Sequence, residues 1–205
     1  MADAPAVRRA RERDAPVLAG LLYLTAPEMY DRVAGGRERA LRVIAADLSA
    51  RDAGTWVAEL GGAVAGAMVA FPYGEAPERT RAFVRAAIRH TPPPRWPGIV
   101  RLMWKGHRRA PRHAPDWLYV DALATAPEHR RRGVATALLA HAERVALSEG
   151  RPAVALDTPE TNAAALALYE RVGFEVAEVL PTTPPVPAAV VLVKQLRGTE
   201  AASKT

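Results

Sequence analysis

Apolar residues along this chain recur with two periods, and the switching between them outlines an α/β domain. Residues 5–13, with Val7 among arginines, read as a first strand. Asp14-Ala15-Pro16 then has the form of a helix N-cap followed by proline in the first turn. Val17, Leu18, Leu21, Leu22 and Leu24 follow at helical spacing. Beyond the break at Gly35-Gly36, a second helix is marked by Leu41, Val43, Ile44, Ala46 and Leu48. Two apolar runs, residues 55–60 and 63–71, flank Gly61-Gly62, a dipeptide suited to a tight hairpin. Residues 77–90 read as a helix with Phe83, Val84 and Ile88 on one side.

Residues 91–116 are the least regular part, broken by Pro92-Pro93-Pro94, Pro97, Pro111 and Pro115. One short amphipathic helix around Val100, Leu102, Met103 and Trp104 is expected there. So long an excursion in a compact domain is either a binding loop or lid, or a loose insertion. Regular structure resumes with a strand at 117–125 and a helix at 134–149, which buries Val134, Leu138, Ala142 and Val145 and stops at Gly150. A strand at 153–157, a helix at 163–172 ending at Gly173, and a strand at 174–179 come next. A proline-rich connection at 181–187 leads to a last strand at 188–196, and the polar tail 198–205 is expected to be disordered. The order β-α-α-β-β-(α)-β-α-β-α-β-β predicts a single domain over residues 1–197. Its sheet would be mixed α/β and mostly antiparallel, with parallel pairing at the strand-helix-strand in the middle, antiparallel flanks and helices on both faces.

Composition narrows the chemistry. At 205 residues and 49% apolar content, the chain can bury one full core without disulfides. It has no cysteine, which removes disulfides, thiol nucleophiles and thiolate metal sites. The five histidines show no metal-ligand spacing, so no metal is expected. The N-terminal segment lacks an apolar secretory core, and the longest apolar run, 61–71, is far short of the roughly 20 residues that span a bilayer. A cytoplasmic protein with no membrane partner is therefore expected. The net charge of +6 raises the question of nucleic acid, with basic clusters at 105–113 and 129–132. No helix-turn-helix, RNA-recognition or zinc-finger spacing accompanies them, and an Ala-, Arg- and Pro-rich composition accounts for the charge, so nucleic acid is the less favoured partner.

The most specific feature is where the strand at 117–125 runs into Arg130-Arg131-Arg132-Gly133-Val134-Ala135 at the start of a helix. A strand feeding a glycine-bearing turn at a helix start presents unpaired N–H groups and the positive end of the dipole, an arrangement suited to phosphates. The triphosphate loop requires Lys-Ser/Thr after its last glycine, and Val134-Ala135 stands there instead. The dinucleotide fingerprint requires three glycines, of which only Gly133 is present. R-x-x-G-x-A after a strand instead resembles the coenzyme A pyrophosphate loop of the GNAT superfamily of acyl-CoA-dependent N-acyltransferases.

Two further stretches resemble the same superfamily. Asn162-Ala163-Ala164-Ala165-Leu166-Ala167-Leu168-Tyr169-Glu170-Arg171-Val172-Gly173-Phe174 is similar to its signature helix. Asn162 is a good N-cap, and Tyr169 lies two turns down the same face. Leu123-Ala124-Thr125 followed by Pro127 is similar to the bulged strand that splays from its parallel neighbour to admit pantetheine.

The resemblance implies a splayed central parallel pair and acetyl-CoA as co-substrate. Pyrophosphate would lie on the backbone of Arg131, Arg132, Gly133, Val134, Ala135 and Thr136, with Arg130 holding the loop. Asn162 would contact the pantetheine arm. Leu123, Ala124 and Thr125 would offer backbone groups to the ligand, the Leu123 N–H to the thioester carbonyl. The Tyr169 hydroxyl would stand beside the departing sulfur. Read as ordinary structure, Tyr169 is a packing aromatic, Leu123 a core residue and the arginines a solvated surface.

Transfer to an amine also needs a base, because an alkyl ammonium near pKa 10.4 is mostly protonated at pH 7. Asp157, at the end of its strand, and Asp121, alternating with Leu123, are the two candidates; a shorter Asp in place of the Glu of some relatives implies a water relay. The acceptor would be a small-molecule amine, a peptide N-terminus or a lysine. Homodimerisation is common among similar proteins, though no residue here requires it. A non-catalytic acyl-CoA-binding module on the same fold is the alternative.

Overall fold

The structure, a computed structural model, describes residues 4–49, 54–108, 110–184 and 186–196. Seven strands make one sheet: β1 (Ala6–Arg9), β2 (Thr55–Leu60), β3 (Ala63–Pro72), β4 (Leu118–Thr125), β5 (Ala153–Pro159), β6 (Glu175–Leu180) and β7 (Ala189–Gln195). Their spatial order is β1-β2-β3-β4-β5-β7-β6. Every neighbouring pair is antiparallel except the central β4–β5 pair. That single parallel pair is joined by the α6 crossover, whereas β2 and β3 turn back directly through Gly61-Gly62, both at positive φ.

Five helices cover one face: α1 (Ala15–Tyr23), α2 (Pro27–Ala34), α3 (Arg37–Ser49), α4 (Ala76–His90) and α5 (Trp96–Arg108). Two cover the other: α6 (Val134–Ser148) and α7 (Ala163–Arg171). The period-2 alternation of the strands sorts side chains between two cores. Val57, Val69 and Phe71 join the five-helix side, while Trp56, Met68 and Ala70 join Leu138, Leu139 and Tyr169 on the other.

Several expectations are corrected. The helix α2 falls in a stretch that the apolar spacing left unassigned. Its signals are Pro27 at the first helical turn, Glu28 near the positive dipole end, and Gly35 at φ 80 as a left-handed cap. In α1 the buried stripe is Leu18, Ala19, Leu21, Leu22 and Tyr23, whereas Val17 and Leu24 are 48% and 42% exposed. Asp14 makes no side-chain cap. Its carboxylate accepts the Arg11 N–H at 2.7 Å and pairs with Arg8 at 2.7 Å, which also holds Glu59 on β2. The amphipathic helix expected in the irregular stretch is present as α5, though longer, at 13 residues, and Ile99 and Leu102 anchor it in the core. The tail 198–205, expected to be disordered, lies outside the described residues.

Candidate functional site

The β4–β5 pair is short. Leu118, Tyr119 and Val120 face Val154, Ala155 and Leu156, and pairing stops there. Beyond that point β4 stays on β3 as far as Thr125, and β5 stays on β7 as far as Pro159, so the two strands part. A bulge on β4 sits at the parting: Ala70 faces Val120 and Val69 faces Ala122, leaving Asp121 as the extra residue. The bulge swaps the faces of the strand. Leu118 and Val120 pack with α6 and α7, then Ala122 and Ala124 pack on the five-helix side and Leu123 returns to the α6–α7 side. The edge of residues 122–125 that faces β5 is thereby not paired with that strand, as an extended amide-bearing ligand requires.

At the end of β4 the Ala126 N–H donates to the Ala65 carbonyl at 2.9 Å, and a short 3-10 turn (Pro127–His129) leads into the arginines. Arg131 has φ 61, the only non-glycine with positive φ among the described residues, and Gly133 follows at φ 79 as the N-cap of α6. A left-handed arginine costs roughly 1–2 kcal/mol, a strain consistent with a backbone shaped for a ligand. The first bond of the helix is the Ala137 N–H to the Gly133 carbonyl at 2.9 Å, so the N–H groups of Val134, Ala135 and Thr136 belong to the unsatisfied first turn. The side chains of Arg130, Arg131 and Arg132 are exposed, and Arg132 meets His129 Nδ1 at 3.2 Å.

Gly66 sets how close this helix start comes to the sheet. A Cβ there would lie 2.6 Å from Val134 Cγ1 and 2.8 Å from the Ala124 carbonyl oxygen. Sequence reasoning passed over Gly66, although a glycine inside a strand pattern signals close approach of another element.

On the other side of the opening, Asn162 caps α7. Its side-chain oxygen accepts the Ala165 N–H and its amide donates to Thr158 Oγ1, each at 3.3 Å. Two turns on, Tyr169 is buried against Phe174. Burial, and then the negative charge of Asp157, push its phenol up to about 12. Asp157 accepts a hydrogen bond from the Tyr119 hydroxyl, and burial together with that carboxylate drives the Tyr119 phenol well above its ordinary value. Tyr119 in turn packs edge-on against Phe71 and Tyr73 and beside His113, whose imidazole burial holds below its usual range.

The two carboxylates are therefore placed differently. Asp157 is tied into a phenol and aromatic cluster, while Asp121 is exposed at the bulge and its charge raises the Tyr119 phenol further, behind Asp157. The bulge, which the apolar alternation alone does not show, makes Asp121 the extra residue opposite β3. Tyr73, His113 and Tyr119 were not anticipated; Tyr119 alternates with the bulged residue, but nothing in the spacing links it to Asp157. Among the described residues no group of His, Asp or Glu could hold a metal ion.

An antiparallel sheet opened at one parallel pair, with a basic phosphate-type turn at its mouth, is the frame of an acetyltransferase. The chain matches the Acetyltransferase (GNAT) family over residues 21–174 and belongs to it. Its fold is similar to that of an N-acetyltransferase from Staphylococcus aureus Mu50, with TM-score 0.67 and 21% identity over 92% of this chain and 99% of that one. It is also similar to a GNAT family acetyltransferase from Elizabethkingia anophelis with acetyl-CoA bound, at TM-score 0.56 and 13% identity over 95% and 99% of the two chains. PaiA N-acetyltransferase from Thermoplasma acidophilum in complex with coenzyme A is a third, at TM-score 0.55 and 14% identity over 94% and 99%. Among the described residues no helix is long and apolar enough to cross a membrane.

Proposed function

We propose that the protein transfers the acetyl group of acetyl-CoA to a primary amine by direct attack in a ternary complex. The observation that carries this reading is the opening between β4 and β5, with Tyr169 on one side and the Asp157–Tyr119 pair at its root. Pantetheine lies in the opening along residues 123–125 of β4, and the Leu123 N–H is aimed at the thioester carbonyl. The pyrophosphate rests on the N–H groups of the turn from Arg131 through Thr136. Asn162 reaches the pantetheine arm.

The base is Asp157. It receives the proton from the amine, directly or through water, as nitrogen attacks the carbonyl carbon and the C–S bond breaks. Tyr169 serves the leaving sulfur. A thiol has a pKa near 8.5, so a phenol near 12 stands about 3.5 units higher, and full proton transfer to the thiolate would cost about 5 kcal/mol. Its role is therefore to donate a hydrogen bond to the thiolate rather than to surrender its proton. No cysteine exists to carry an acyl-enzyme.

Release of free CoA in the presence of an amine panel tests the reading. Asp157→Asn should lower turnover by about 10²-fold or more on whichever amine reacts, while Asp121→Asn leaves it within a few-fold. Equal loss in both variants, or loss in Asp121→Asn alone, would reassign the base. A protein that binds CoA and acetylates no amine would be a non-catalytic module on this fold.

A further inference from the structure

On the five-helix face, away from the pyrophosphate turn at the start of α6, α2 and α5 form the walls of a pocket of about 540 Å³ closed by Pro184 of the β6–β7 connection. Four cations line it, Arg32, Arg95, Arg101 and Lys105, and no lining residue is acidic. Between Glu78 and Asp116 the sequence carries no Asp or Glu at all. None of the four side chains makes an ion pair among the described residues. Like charges gathered around a concavity without counter-charges repel, and a protein gains nothing in folding by placing them so.

Two of the cations are held in place by backbone. Arg95 donates to the Arg32 carbonyl at 2.9 Å, satisfying one of the last carbonyls of α2, and its guanidinium lies over Gly35, where a Cβ would come within 2.7 Å of Cζ. Its Nε–H is buried and has no acceptor among the described residues. Lys105 donates to the Pro184 carbonyl at 2.9 Å, which leaves two further ammonium donors. Arg32 and Arg101 are exposed. The floor is apolar, made by Val33, Ile99 and Leu102 of the core. A guanidinium fixed on the end of α2, a tethered ammonium and an apolar floor together describe a receptor for an amphiphilic anion.

We propose that this pocket binds the carboxylate or phosphate of a small organic anion, whose apolar portion lies on Val33, Ile99 and Leu102. The site does not depend on acetyl transfer and shares no residue with the Asp157–Tyr169 centre.

Calorimetric titration of the full chain with inorganic phosphate and with hexyl phosphate tests it, at fixed ionic strength. Hexyl phosphate should bind at least tenfold more tightly than phosphate, because only it can use the floor. The double variant Arg32→Gln/Arg101→Gln should weaken hexyl phosphate about tenfold or more and leave CoA affinity unchanged. Arg144→Gln/Arg171→Gln, which removes the same charge from exposed positions on α6 and α7, should change neither. The proposal is overturned if hexyl phosphate binds no better than phosphate, if neither binds, or if both double variants lose binding equally, the mark of a general charge effect. Retained CoA binding in the first double variant also shows that it is folded.

Discussion

Gly66 lies tight against the start of α6, and substituting that glycine separates the fold's frame from the proposed anion site. In Gly66→Ala the new methyl would stand 2.6 Å from Val134 Cγ1 and 2.8 Å from the Ala124 carbonyl oxygen. Ordinary contact begins at 3.4 Å, so the helix start must retreat by about 0.8 Å. Val134 is 1% exposed and has no free space into which to turn, and the carbonyl belongs to the sheet. Overpacking of this kind costs about 1–3 kcal/mol. At about 2 kcal/mol a domain of this size loses roughly 4–8 °C of melting temperature. The retreat also carries the first-turn N–H groups away from the β4 edge, so CoA affinity should fall about tenfold, equivalent to about 1.4 kcal/mol. Thermal unfolding and CoA titration read the two effects separately. Adding Val134→Ala should restore only part of each, since the carbonyl clash persists. Gly133→Ala provides the contrast: its Cβ meets nothing within 4 Å, but φ is 79, so the cost is about 1–2 kcal/mol of local strain without displacing the helix. If Gly66→Ala melts with the wild type and binds CoA equally well, the close approach is not what positions α6.

Tyr169→Phe should lower kcat by about 10²-fold while the Kd for CoA stays the same, measured by steady-state CoA release and by titration, because the hydrogen bond matters most once the thiolate forms. The Tyr169 phenol, raised to about 12, keeps its proton throughout the working range; the pH profile of kcat should therefore show no alkaline fall from Tyr169 between pH 8 and 10. The Arg8 guanidinium, through its hydrogen bond, holds the Asp14 carboxyl below the usual carboxylate range. Its contribution to stability is then complete above the unfolded value near 3.9 and is lost as pH falls through the lower folded value. Asp14→Asn should cost about 1–3 kcal/mol near pH 7, and the gap from wild type, followed by urea unfolding, should narrow below about pH 4.

What could be read along the chain was whatever local physics dictates. The Gly61-Gly62 hairpin, the helix opened by Gly133, and the capped helix from Asn162 to Tyr169 each follow from neighbours a few residues apart. So did the alternation of strands and helices, and with it the mixed sheet. Elements with weak local signals were harder: α2 has a cap and a proline but little apolar periodicity, and α5 hides among prolines and exposes Trp96, Val100 and Trp104. The remaining features depend on partners distant in sequence. The bulge at Asp121 is a shift of register between β3 and β4, and Asp157 comes from β5, so neither is set by residues near it in the chain. Tyr119 reaches Asp157 across 38 positions, and Gly66 meets Val134 only when the hairpin packs under α6. Sequence alone determined most of the elements, the glycine-bearing turn that opens α6 and the candidate acid, because backbone conformation and capping are local energies. Tertiary structure decided how far β4 and β5 stay paired before they part, which carboxylate is joined to the aromatic cluster, and how the cations of α2 and α5 come to share a pocket, because those depend on contacts that form only when distant segments are packed together.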